Sequence, residues 1–449
     1  MEIDELFMLG SQRRVVITGL GLVTPLGDSP DRLWGSLVEG QGAVRPIEAF
    51  SVEGLLNNLG AEIRHFDFLK TPALAKAKFI KELRKSRKYM ARDIQLCVTA
   101  AQLAFVDARL DQGGVNPARV GIDLGAGLIS SELDELAPAI GQATSRSGTF
   151  DFAAWGRESI GMIEPIWLLK YLPNMLACHI SILMDCQGPS NTITGGDASS
   201  NLAIAEAARI IARGKADVMI AGGADSKIHP LSFVRLALHQ NMSHWRGEPA
   251  GACRPFDLRR DGTVPGEGAG ILILEEREHA LRRGAVIHGE LLGAGSGCDA
   301  MPGGGLDPQG SGTEIAITSA LREAGLSPSG VGHVNAHGVG SQVGDLAEAR
   351  AFHRVFGASP PPVTALKGYI GTLVAGCGAV ELIGSLIGVN RGFIPPALNC
   401  DDPDPACALD VVRGEPRPTR NPTFVNTNIT GNGQAAAVVV RGTVPEVAG

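Results

Sequence analysis

Along this chain, short apolar runs rich in β-branched residues alternate with longer stretches of helical periodicity, the pattern of a layered α/β protein. "RRVVITGLGLVTPLG" (13–27) predicts a strand that breaks into a Gly-rich turn. Its Gly19 and Gly21 match two positions of a dinucleotide loop, but the third glycine and the following helix are missing, so no cofactor is expected there. Residues 89–108 predict a mostly buried helix, and "ADVMIAGGAD" (216–225) a fully buried strand. Further strands are expected in "AGILILEE" (269–276), "HVNAHG" (333–338), "PVTALKG" (362–368) and "QAAAVVVRG" (434–442). Regions 128–160 and 299–313 read as irregular, the second as a plain loop. No low-complexity linker divides the chain, and two closely packed halves are expected to meet near residue 260.

One segment combines this pattern with chemistry. In "GPSNTITGGDASSNLAIAEAARIIARG" (188–214) a turn of small residues runs straight into a helix, as in the approach to a nucleophile, yet the apex is Asp197. After it, Glu206, Arg209 and Arg213 share one stripe among small and apolar residues, which describes a helix almost surrounded by protein. Gly214 ends the helix, with a cation in its last turn. The plain reading of Asp197 is a helix cap, a role worth about 1 kcal/mol, which also predicts a low pKa.

Composition narrows the function classes. Forty basic against 47 acidic residues give a net charge of −7, which argues against a nucleic-acid-binding surface over the whole molecule. The eight cysteines show no CxxC pairing or Cys/His metal spacing, which fits a reducing, cytoplasmic setting. The start "MEIDELFMLGSQRR" is acidic and lacks a signal-peptide core. No run approaches the roughly 20 apolar residues of a membrane span. His333 and His337 stand four apart, but in a strand entering a turn, so no metal site is expected.

Five segments, in order, resemble the β-ketoacyl-acyl carrier protein synthases, the condensing enzymes of fatty acid and polyketide synthesis. They are "RRVVITGLGLVTPLG", the stretch from Gly188 to Asp225, "RPFDLRRDGTVPGEGAGILILEE" (254–276), "VNAHGVGSQVGDLAEA" (334–349) and "ALKGYIGTLVAGCGAVE" (365–381). The resemblance, spanning about residues 13–442, implies a thiolase-like five-layered αβαβα fold made of two related halves, and a dimer. It divides the chain into an extension at 1–12, an N-terminal half at 13–260, a C-terminal half at 261–442 and a tail at 443–449. The family's chemistry needs a low-pKa Cys at a helix start and two His beside the developing oxyanion.

Carried over residue by residue, the family's Cys position falls on Asp197, its first His on His337, its Lys on Lys367 and its second His on Thr372. Glu348 is the expected ionic partner of Lys367. The gating and substrate-binding loop falls on Asn428, Ile429, Thr430 and Gly431, without the family's aromatics. Cys186 and Cys377 offer no substitute nucleophile, since neither is predicted on a sharp turn at a helix start. Condensation is therefore expected to be lost, because an acyl-aspartate is a mixed anhydride, higher in energy than a thioester.

Three functions remain open. The leading one is a non-condensing, chain-length-factor-like or accessory subunit, as homodimer or as heterodimer with an active ketosynthase. The stretch "EPIWLLKYLPNMLACHISIL" (164–183) is a candidate interface or tunnel wall, or ordinary core. The second is a malonyl-acyl carrier protein decarboxylase using His337 and Lys367. The third is an acyl-binding or scaffold protein outside the pathway. Residues 76–92 carry eight basic side chains and one acid, a candidate docking patch for an acidic acyl carrier protein through Lys81, Arg84, Lys85, Arg87 and Lys88, or a solvated helix face. Nucleic acid fits that run poorly, with only Phe79 and Tyr89 available to stack.

Overall fold

The computed structural model describes residues 13–55, 57–70, 73–74, 77–145, 148–239 and 242–443. The extension at 1–12, the tail beyond Thr443 and Lys76 of the basic run lie outside the described residues.

Ten strands form one mixed sheet: β1 (Val15–Val23), β2 (Val120–Ala126), β3 (Ser190–Ile193), β4 (Val218–Ser226), β5 (Glu267–Glu276), β6 (Gly289–Cys298), β7 (His333–Asn335), β8 (Val363–Thr364), β9 (Thr423–Ile429) and β10 (Gln434–Gly442). Their order is β8-β7-β9-β10-β6-β1-β5-β4-β2-β3. β1 and β6 meet at the centre through three antiparallel residue pairs, Val15 with Leu291, Val16 with Glu290 and Ile17 with Gly289. Outward from this joint the two arms repeat one topology. In each, the first strand pairs antiparallel with the fifth and the fifth antiparallel with the fourth. The fourth then lies parallel to the second, and the second parallel to the third. β5 starts after the expected division at 260/261 yet pairs with β1 and β4, so the strands of the first half run to Glu276.

Helices complete the layers. α1 (Ala77–Ser86) precedes α2 (Arg92–Asp107), which packs with α3 (Met175–Met184) on the outer face of the first arm. α4 (Ser199–Ala212) and α7 (Cys377–Val389) each touch strands of both arms and form the central layer. α5 (Ser311–Ala324) and α6 (Gln342–Phe356) cover the second arm. The result is the thiolase-like αβαβα arrangement, its two strand layers joined edge to edge at β1 and β6. All of α7 is buried, as an apolar helix between two sheets must be. The polar stripe of α4 reaches the rim, where Arg209 pairs with Glu323 and Arg213 with Glu206.

Region 128–160 departs from the irregular expectation: Leu133–Gln142 is a helix, with Pro138 inside it and only Ala139 buried. An internal proline and a nearly unburied face remove the usual signals of a helix. Gly19 and Gly21 let α2 press onto β1. A Cβ at Gly21 would lie 2.0 Å from Ala100 O, and one at Gly19 would lie 2.4 Å from Ala104 O. Gly21→Ala is therefore expected to destabilise the protein by about 2–3 kcal/mol, read as an earlier unfolding midpoint in urea. Gly35→Ala, with open space around it inside the helix Pro30–Val38, serves as the control and is expected to stabilise by up to about 1 kcal/mol.

Candidate active site

Small residues set the entry to the site. After β3, Gly196 (φ +53°) turns the chain within a single helical turn, Gly196–Ala198, that leads into α4. This places Asp197 inside the protein, 5% exposed, beside the corresponding turn of the second half, Val374–Gly376, which leads into α7.

The expected cap does not form. No side chain caps α4. Ser199 braces the turn instead, its Oγ accepting from Gly195 N at 2.8 Å and donating to Gly196 O at 2.7 Å. The Asp197 carboxyl points across the seam between the halves, where Oδ1 accepts a 2.7 Å hydrogen bond from Thr372 Oγ1. The low pKa expected of a cap is also reversed. Burial raises the Asp197 pKa, and the Lys367 charge and the Thr372 hydroxyl offset this only in part. A carboxyl sheltered from water holds its proton more tightly.

Glu348 does not pair with Lys367 as expected. It clamps the turn that follows β7, accepting from His337 N at 2.8 Å, Gly338 N at 2.9 Å and Thr427 Oγ1 at 2.8 Å. Burial outweighs these bonds and pushes its pKa up to about 7. Lys367 pairs with Glu381 on α7 at 2.5 Å, both side chains fully buried, and also donates to His337 O at 2.7 Å. Burial alone would lower the Lys367 pKa; the acidic groups around it outweigh that, and it is raised. Glu381 escaped the sequence reading, although it is the lone acid of the apolar helix "CGAVELIGSLIGV".

Asn428 joins these groups. Its Nδ2 donates to Glu381 Oε2 at 2.8 Å and lies 3.4 Å from His337 Nδ1, while its Oδ1 accepts from Asn201 Nδ2 at 2.8 Å. With Asn428 donating, the remaining His337 proton sits on Nε2. Burial, helped by the Lys367 charge, holds the His337 pKa well below its usual value, so the ring is neutral at physiological pH.

Asp197 and His337 line a cavity of about 260 Å³, together with Thr263, Leu306, Ser341 and the loop residues Ile429, Thr430 and Gly431. Of the four expected substrate-loop residues, Asn428 alone is withdrawn from this lining into the buried network. Thr372, Lys367 and Glu348 are buried behind it. Contrary to expectation, Cys377 does open a helix, at the first position of α7 directly after the turn Val374–Gly376; it accepts from Leu373 N at 3.1 Å, and burial drives its thiol pKa far up, away from a nucleophilic thiolate. The Cys186 thiol is likewise pushed up to about 12 by burial. Among the described residues, no group of three or more His, Cys, Asp or Glu could hold a metal ion, and no helix is long and apolar enough to cross a membrane. The five candidate docking cations, Lys81, Arg84, Lys85, Arg87 and Lys88, are all exposed, with Phe79 and Leu83 buried beneath them.

Residues 12–280 match the N-terminal domain of beta-ketoacyl synthases and residues 288–401 their C-terminal domain. The chain belongs to the β-ketoacyl synthase family. Among similar β-ketoacyl synthases, a 3-oxoacyl-[acyl-carrier-protein] synthase 2 of Synechocystis sp. is 34% identical over 411 residues, 90% of this chain and 92% of that one. The solved ishigamide ketosynthase/chain length factor is similar with a TM-score of 0.83 and 27% identity, covering 96% of this chain and 100% of that one. A type II polyketide acyl-carrier protein in complex with its ketosynthase bound to the hexaketide gives 0.82 and 26%, with 96% and 100% covered.

Two outcomes test this ketosynthase site. Because the folded-state pKa of Asp197 is raised, the folded state keeps a proton that the unfolded chain has lost, so this carboxyl costs stability as pH rises above the ordinary carboxylate range. Asp197→Asn, which keeps the acceptor for Thr372, is therefore expected to melt a few degrees above the parent at pH 8 and level with it near the unfolded carboxyl's pKa. A difference independent of pH would contradict the assignment. Lys367→Met, which strands Glu381 as an uncompensated buried charge, is expected to cost about 3–5 kcal/mol by chemical denaturation. Lys367→Met/Glu381→Leu is expected to recover most of that loss.

Proposed function

We propose that this chain is a non-condensing ketosynthase subunit of fatty acid or polyketide assembly, acting in the manner of a chain-length factor. It would pair with a second copy or with a Cys-bearing ketosynthase. The observation that carries this reading is the occupant of the turn before α4: a carboxyl bonded to Thr372, with no thiol in the cavity lining. Acyl transfer to a carboxylate would give a mixed anhydride, uphill from a carrier thioester, so the site does not store an acyl group.

The similarity to a ketosynthase/chain length factor supports a partner role. So does β3 at the end of the sheet, where Ser190 and Asn191 are exposed and backbone groups are left for another strand. The exposed cations from Lys81 to Lys88 suit an acidic acyl carrier protein, in keeping with the relative solved in complex with its own carrier. Eight free cysteines agree with a cytoplasmic setting.

A second reading, malonyl-carrier decarboxylation, draws on the neutral His337 ring that opens onto the cavity, with Lys367 behind it. Intact-mass measurement after exposure to acyl- and malonyl-loaded carrier protein separates the two. The expected result is no adduct and no CO₂, with co-purification of a Cys-bearing ketosynthase when the two are expressed together. An acyl adduct lost in Asp197→Ala would overturn the non-condensing reading, and CO₂ release lost in His337→Ala would select the decarboxylase.

A further inference from the structure

A second group of buried charges adjoins Asp197 and takes no part in the network described above. Asp225, at the end of β4, is fully buried, and its Oδ1 pairs with Lys227 Nζ at 2.7 Å. Its Oδ2 accepts from Ala375 N at 3.4 Å, in the same turn that follows Thr372. Lys227 Nζ reaches Leu128 O at 3.4 Å. Asp93, at the start of α2, is buried beside them, and its Oδ1 accepts from Ser226 N at 2.6 Å. Burial and the neighbouring Asp225 push the Asp93 pKa up to about 8. The packing is tight: a Cβ at Gly127 would lie 2.0 Å from Asp225 Oδ2.

The position of this cluster gives it a consequence. The cavity at Asp197 is lined by Asp197, Thr263 and second-half residues from Leu306 onward, and none of Asp93, Asp225 or Lys227 contributes to it. The cluster is built from first-half residues on β4, α2 and the loop after β2. It lies within electrostatic reach of Asp197, since Asp225 and Lys227 both act on that carboxyl's titration or feel its charge. Beyond it is an outer groove of about 690 Å³, to which Arg92, Asp93, Ser226 and Glu267 contribute. The turn Val374–Gly376 packs against the turn that carries Asp197, and its Ala375 N reaches Asp225, so the cluster stands one turn away from that carboxyl on the first-half side.

We propose that the Asp93–Asp225–Lys227 cluster is a specificity element that closes the space behind Asp197 to an apolar acyl tail, so that this subunit's own cavity admits a carrier arm with only a short acyl group. The inference deepens the reading of the cavity as a path for carrier-bound thioesters and rests on it. An alkyl chain laid against this cluster gains nothing from leaving water, because its new neighbours are the Asp225–Lys227 ion pair and a polar carboxyl. Parting Lys227 from Asp225 to make room would strand two buried charges. The short apolar contacts available, Leu306, Val339, Val343 and Ile429, belong to the cavity lining itself.

Binding of amide-linked acetyl-, hexanoyl- and decanoyl-pantetheine to the full chain, followed by calorimetry, tests the proposal. Amide arms cannot transfer an acyl group, so the outcome is independent of whether the protein condenses. The expected result for the native protein is that acetyl binds measurably and decanoyl no more tightly; failure of every arm to bind would overturn the proposal. The neutral variant Asp93→Leu/Asp225→Asn/Lys227→Met, checked for folding by its melting curve, is expected to prefer decanoyl at least about tenfold, since each buried methylene normally adds severalfold. A native preference for decanoyl of tenfold or more would overturn the proposal, as would a folded variant with no preference. If the variant fails to fold, the native series alone decides.

Discussion

The fully buried Lys367–Glu381 pair is the interaction on which the site depends. Lys367 sits at the head of a short helical turn and Glu381 on α7, and the pair fixes the second-half loop against the central layer. From it, contacts run outward in three directions: through the Lys367 ammonium to the His337 carbonyl, through Asn428 to the His337 ring, and through Asn428 to Asn201 on α4. Two charges without water are tolerable only when each has further hydrogen bonds, and here each does. The geometry of His337 thus follows from an ion pair that never touches the cavity.

Where the sequence pattern was strong, the structure followed it. Runs such as "ADVMIAGGAD" and "AGILILEE" became strands buried on both faces, as short continuous apolar runs bounded by turn residues suit a covered sheet. The two related halves and the layer order entered only through family resemblance, and the repeated five-strand topology and the joint between β1 and β6 came from the structure, since pairing between distant strands leaves no local periodicity. The helix Leu133–Gln142 was invisible because its proline and exposed face oppose the rules that reveal helices.

The same division holds within the site. His337, Lys367 and Thr372 were found from motif position, and the structure brings them together around Asp197. The choice between Glu348 and Glu381 was beyond the sequence, because both acids lie on helices that return toward the same loop. Distance decides it: Glu348 reaches backbone N–H groups and Glu381 reaches the ammonium. Asp197 failed as a cap for a similarly local reason. Ser199 lies two residues on and already supplies the bonds that brace the turn, which leaves the carboxyl free to turn toward Thr372.

The repeat of the two arms gives that last bond an added meaning. The turn Gly196–Ala198 before α4 and the turn Val374–Gly376 before α7 are counterparts in the repeated architecture, and they face each other at its centre. The Asp197–Thr372 hydrogen bond therefore ties the turn of one half to the residue that leads into the turn of the other. A side chain introduced on either turn changes the company kept by its mate. Residues distant in the chain thus share one local environment, and substitutions at the two are not expected to act additively.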